Sequence, residues 1–67
     1  MTGIAKDEAF KAEIIRIERH YRHRLLFPIS YYFEWRIYPY NLVYDKTKLL
    51  ADDIKNSVIT SYKAIYH

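Results

Sequence analysis

Residues 16–24, RIERHYRHR, bring four arginines, two histidines and one glutamate into nine positions. Guanidinium groups grip phosphates with paired hydrogen bonds, so a row of them is the residue chemistry of anion and nucleic-acid binding. On a helix turning about 100° per residue, Arg16, Arg19, His20 and His23 project opposite the apolar side. Arg22 and Arg24 fall on its two shoulders. A ridge of this kind suits a phosphate backbone. A solvated helix face with its bases near the C-terminus uses the same residues without any ligand. Neither zinc-finger spacing nor an RNP-type strand signature accompanies the ridge. His20 and His23 are three apart and positioned to share a metal. The neighbouring arginines repel a cation, and no carboxylate at the next helical position completes the set, so no metal or other cofactor is expected.

Covalent or acid–base catalysis needs a nucleophile, a base and an orienting acid. Ser30, Ser57, Ser61 and the three histidines form no such arrangement at sequence level. Asp52 and Asp53 are adjacent, hence about 100° apart on a helix, and both lie on its polar side. A single glycine leaves no phosphate-cradling loop. The expectation is a protein without catalytic residues.

The second concentration of chemistry is aromatic. The stretch Ile29–Tyr44, ISYYFEWRIYPYNLVY, holds most of the aromatic residues and the only tryptophan. Eight tyrosines among 67 residues exceed what so small a core needs, since each hydroxyl requires water or a partner. Tyrosine and arginine are the types enriched at protein interfaces. Read at period two, Ile29, Tyr31, Phe33, Trp35 and Ile37 share one side. Ser30, Tyr32, Glu34, Arg36 and Tyr38 share the other. That alternation, in β-branched and aromatic residues, predicts a half-buried strand with Trp35 central on its apolar face. A helix competes, because Ile29, Phe33 and Ile37 also repeat at i, i+4 and i+8. Tyr38–Asn41 reads as a turn around Pro39, and Asn41–Tyr44 as a short returning strand.

Two helices must position these residues. Phe10, Ile14, Ile17, Tyr21 and Leu25 make one apolar stripe, so the spacing predicts a helix over about 5–26. Asp7–Lys11, Glu8–Lys11, Glu13–Arg16 and Glu18–Arg22 each place the acid before the base, the favoured order. Pro28 ends this helix and pushes Phe27 into an extended conformation. Leu50, Ile54, Val58, Tyr62 and Ile65 predict a second helix over about 46–66, capped by Asp45 or Thr47. A helix-turn-helix reading of 47–65 fits Ala51 and Ile54 but puts Lys55 where glycine is usual and Ser61 where an apolar residue packs. One unbroken helix explains the same residues without exceptions.

Sixty-seven residues make one domain, residues 1–67, with a small core and no cysteine to staple it. The charge of +3, with a sequence pI near 9.2, suits nucleic acid, an anionic membrane or an acidic protein equally. Charge at the N-terminus where an apolar segment would stand gives no signal-peptide pattern, and an intracellular location is the expectation. Arg22–His23–Arg24 followed by LLFP and an aromatic band has the make-up of an interfacial membrane anchor. Glu34 and the strand-like period oppose it.

The expected fold is therefore α+β, helix–β-hairpin–helix, with an all-helical three-segment bundle as the alternative. The expected function is a non-enzymatic protein-interaction module, an accessory subunit or inhibitor. It would dock another protein or a second copy through the aromatic ribbon's open edge and the face bearing Tyr32, Glu34, Arg36, Tyr38 and Tyr40. The alternative is nucleic-acid binding through Arg16, Arg19, His20, Arg22, His23 and Arg24.

Overall fold

In a computed structural model, which describes residues 3–34 and 39–66, the first apolar stripe forms α1, Gly3–Tyr21. Phe10, Ile14 and Ile17 are buried, and Tyr21 and Leu25 pack against the core from its rim. Glu8–Lys11 and Glu13–Arg16 close as ion pairs of 3.6 and 2.7 Å on its outer side. The helix ends four residues earlier than its stripe suggests. Arg22–Arg24 tighten into a 3₁₀ turn, a common way for an α-helix to finish. Leu25 is then extended, at φ −96° and ψ 126°.

The described parts of the aromatic stretch are helical and form no hairpin. Among the described residues there is no strand. Ser30–Phe33 form a single turn, α2, opened by bonds from the Tyr31 and Tyr32 amides to the Pro28 and Ile29 carbonyls, both 3.0 Å. Tyr40–Thr47 form α3, where a turn and a returning strand were expected. Pro39 starts α3, its carbonyl accepting from the Leu42 and Val43 amides at 3.0 and 3.1 Å.

Burial shows why the helical period prevails. Ile29 and Phe33, four apart, are enclosed, whereas Tyr31, which a strand would bury with them, is 66% exposed. In α3, Val43 and Thr47 repeat the pattern and are fully buried. The Thr47 hydroxyl donates to the Tyr44 carbonyl at 2.9 Å, so its burial leaves no polar atom stranded. α2 ends on Glu34, whose φ of 53° is left-handed. Trp35, Arg36, Ile37 and Tyr38, central to the ribbon reading, lie outside the described residues.

The second expected helix is divided. Residues 46 and 47 belong to α3, the chain turns at 48–51, and α4 runs Asp52–Tyr66. Neither Asp45 nor Thr47 caps it. Ala51 stands at its head, its carbonyl accepting from the Lys55 amide at 2.8 Å. Within α4 the stripe holds: Ile54, Val58 and Tyr62 are buried, with Leu50 and Ile65 at the rim. Lys55–Ser57, where a helix-turn-helix would bend, lies inside continuous helix.

α1 and α4 are the antiparallel pair on which α2 and α3 pack. Contacts at both ends fix their relation. Arg24 at the end of α1 bonds Asp53 at the start of α4. Tyr66 at the end of α4 donates to the Asp7 carboxylate near the start of α1 at 2.9 Å. α2 is tied to α1 by the Ser30 amide, which donates to Glu18 at 2.7 Å. The result is a small helical bundle with one core.

Candidate functional site

Among the described residues two surfaces stand out, one running along α3 and α4 and the other beside the start of α4. The first is a tyrosine–lysine face. Tyr40 and Tyr44, four apart on α3, both stand partly in solvent with ring centroids 6.1 Å apart. Ammonium groups from α4 lie near their faces: Lys63 Nζ is 5.3 Å from the Tyr40 centroid and Lys55 Nζ 4.8 Å from that of Tyr44. Each is within cation–π range. Lys48, ion-paired with Asp45 at 3.6 Å, adds a third near Tyr44 at 6.0 Å.

Beside Tyr40 opens a cleft of about 400 Å³ lined by Tyr40, Tyr62, Lys63 and Tyr66. Its tyrosines are held from below. Tyr62 and Tyr66 lie 4.6 Å apart, and the edge of Phe10 meets them at 5.4 and 6.1 Å. Burial raises the Tyr62 hydroxyl above its ordinary 10.0. Tyr66 is raised further, first by burial and then by the bond to Asp7 and its charge. Both phenols are neutral donors at physiological pH. The arrangement is an aromatic socket with the Lys63 ammonium at its rim, suited to holding a side chain.

The second surface is an apolar tip where the α1–α2 and α3–α4 connections meet. Leu26 is 93% exposed, Leu49 75% and Phe27 51%. Phe27 stacks on Tyr31 at 5.4 Å with ring planes 18° apart. A shallow groove of about 220 Å³ joins the two connections, with Leu26 and Phe27 on one side and Leu49 and Leu50 on the other. Arg24 lines it, its guanidinium engaged by Asp53. That hydrogen bond, ahead of the guanidinium's charge, holds the Asp53 carboxyl below its ordinary 3.8.

The expected interface residues are not on one face. Tyr32 is half-buried in the groove at the tip, whereas Tyr40 borders the cleft at the other end. Glu34 is exposed at the end of α2, and Arg36 and Tyr38 lie outside the described residues. The basic ridge is also interrupted. Arg16 donates to Glu13 at 2.7 Å, and His20 sets its ring against Tyr21 at 4.6 Å. Arg22, His23 and Arg24 sit on the 3₁₀ turn, which advances about 120° per residue and so departs from the helical projection. Arg19, Arg22 and His23 are exposed.

Sequence reasoning missed Tyr44, Lys55, Lys63 and Tyr66 as surface chemistry and Leu49 altogether, and named Leu26 only within the LLFP segment of the membrane-anchor reading. A signal for the leucines was present. The stripes claim Leu25 and Leu50, which leaves the second leucine of each pair without an inward side. No protein-family model matches the chain, and no curated protein or solved structure matches it.

Proposed function

We propose that the chain is a small, non-enzymatic protein-docking module whose docking face is the tyrosine–lysine face of α3 and α4. The observation that carries this reading is the open cleft walled by Tyr40, Tyr62 and Tyr66 with Lys63 at its rim. Tyrosines anchor interfaces well because they bury a large, amphipathic ring while losing only two side-chain torsions. These are already braced by Phe10 and by one another, so little ordering remains to oppose binding. The socket suits a partner that projects an apolar or aromatic side chain with a carboxylate beside it to meet Lys63. This reading keeps Tyr40 from the expected interface and replaces the ribbon edge with a helical face.

The test is affinity capture with the tagged chain from its native cells, comparing the parent with Tyr40→Ala/Lys63→Ala. The bound protein, whether another chain or a second copy, should be lost from the double variant while the thermal midpoint is preserved. Retention of the same protein by both would overturn the docking face. A salt titration separates the alternative of nucleic acid. Phosphate binding weakens steeply with salt, whereas a socket interface responds little. The engagement of Arg16 by Glu13 and of Arg24 by Asp53 leaves a shorter cationic row and favours the protein reading.

A further inference from the structure

The apolar tip shares no lining residue with the tyrosine cleft and has its own chemistry. Leu26 and Leu49 project from two separate connections with most of their surface in water. Phe27 and Tyr31 form a stacked base beside them. Cationic side chains flank the projection. Arg22 shares a hollow of about 220 Å³ with Leu26, Phe27 and Pro28, and Arg24 lines the groove that Leu26 and Leu49 share. Arg24 is neutralised by Asp53, and Glu18, in the Arg22 hollow, is bonded to the Ser30 amide. Arg22, with Arg19 one turn earlier on α1, supplies exposed positive charge.

Three kinds of occupant bring different requirements. A nucleic acid would use the arginines and leave the bare leucines in water. A second copy in a two-fold pair would set the same patch against itself, bringing Arg19 and Arg22 of both chains together at a like-charge cost. An anionic bilayer uses both features at once. Projecting apolar side chains enter the boundary between headgroups and acyl chains while adjacent arginines meet the lipid phosphates.

We infer that this end of the molecule docks onto an anionic membrane surface, with Leu26 and Leu49 as the inserting residues and Arg19 and Arg22 as the headgroup contacts. Among the described residues no helix is long and apolar enough to cross a membrane, and the insertion is shallow. With the cleft at the far end of α4, the molecule would present that socket away from the bilayer.

The experiment is co-sedimentation of the full chain with vesicles of phosphatidylcholine containing phosphatidylserine, against phosphatidylcholine alone. The parent should partition onto the first and not the second, and added salt should release it. Leu26→Asp/Leu49→Asp should reduce partitioning by about tenfold or more. Arg22→Gln should reduce it about fivefold, the factor for one arginine near an anionic surface. These positions are exposed, so thermal midpoints should not move, and capture of protein at the tyrosine–lysine face should survive. A parent that ignores phosphatidylserine vesicles overturns the inference. So does partitioning that persists in the leucine variant, which would mark charge attraction alone. Loss of a captured protein from the leucine variant, without vesicle binding by the parent, would make the tip a protein site instead and equally overturn it.

Discussion

Phe10 is the residue through which three helices meet. Its ring is edge-on to Phe33 of α2 at 5.8 Å and to Tyr62 and Tyr66 of α4 at 5.4 and 6.1 Å. Emptying such a site costs ~3–5 kcal/mol. A domain of this size has on the order of 3–10 kcal/mol in total. Phe10→Ala should therefore populate the unfolded chain heavily, as a urea titration followed by circular dichroism would show. A surface pair behaves differently. The depressed Asp53 carboxyl means its bond to Arg24 contributes stability at and above the ordinary 3.8. That contribution is lost as pH falls from there through the lower folded value. Arg24→Gln should accordingly lower the neutral plateau by the small contribution of an exposed pair and flatten the acid limb by the same amount, so that the two curves converge below the folded value. At the alkaline limit the sign reverses. The raised Tyr66 hydroxyl contributes below its ordinary 10.0 and loses that contribution as pH climbs toward the raised value. Tyr66→Phe should soften the alkaline loss, measured by thermal midpoints across that range.

At the scale of elements, the junction between α3 and α4 is the informative one. Ala51 heads α4 with no side chain to bond the amides of its first turn, of which the Ile54 amide donates to the Asp53 carboxylate at 3.0 Å, and Asp52 and Asp53 favour the dipole there. Ala51→Ser should add ~1 kcal/mol by supplying that acceptor. For a chain of this length this raises the thermal midpoint by roughly 4–8 °C. An unchanged midpoint would mean that 51 is not the capping position. The junction was not legible in the sequence, because Thr47, Leu50 and Ile54 continue the three-four spacing straight through it. Both α3 and α4 want those residues inward, so the stripe carries no mark of the turn.

For the whole molecule, the radius of gyration is 11.0 Å, near the ~11 Å expected of a packed chain of 67 residues. The longest dimension is 35 Å, set by the antiparallel pair. The cleft at Tyr62 and the tip at Asp53 are separated by nine positions of α4, hence by about 14 Å along its axis, although Tyr44, Lys48 and Lys55 of the tyrosine–lysine face lie nearer the tip. Sites so far apart act independently. Tyr40→Ala/Lys63→Ala should abolish protein capture and leave vesicle binding intact, and Leu26→Asp/Leu49→Asp should do the reverse. A combined variant should show the product of the two defects, and any strong coupling would place both ligands on one surface.

The sequence by itself determined α1, the body of α4 and most of the core. Their apolar residues recur at three and four, and only a helix puts such positions on one side. It also determined the acid–base pairs at Glu8–Lys11 and Glu13–Arg16, which depend on local spacing alone. Whether residues 29–33 are strand or helix was decided by tertiary structure. Ile29 and Phe33 are four apart, a spacing that both a two-residue and a helical repeat place inward. Tyr31 and Tyr32 separate the two, since a strand turns Tyr31 inward and Tyr32 outward and a helix does the reverse, and the local preference of both favours a strand. What turns Tyr31 outward is the surface to be covered. Phe10 needs Phe33 against it while Ile29 is enclosed in the same core, and one helical turn delivers both. The cleft is tertiary for the same reason, since Tyr40 meets Tyr62 only when α3 folds back on α4. Leu26 and Leu49 lie 23 positions apart in the chain. They share one tip because the antiparallel packing of α1 on α4 sets the end of one beside the start of the other, with Leu25 and Leu50 on the same core.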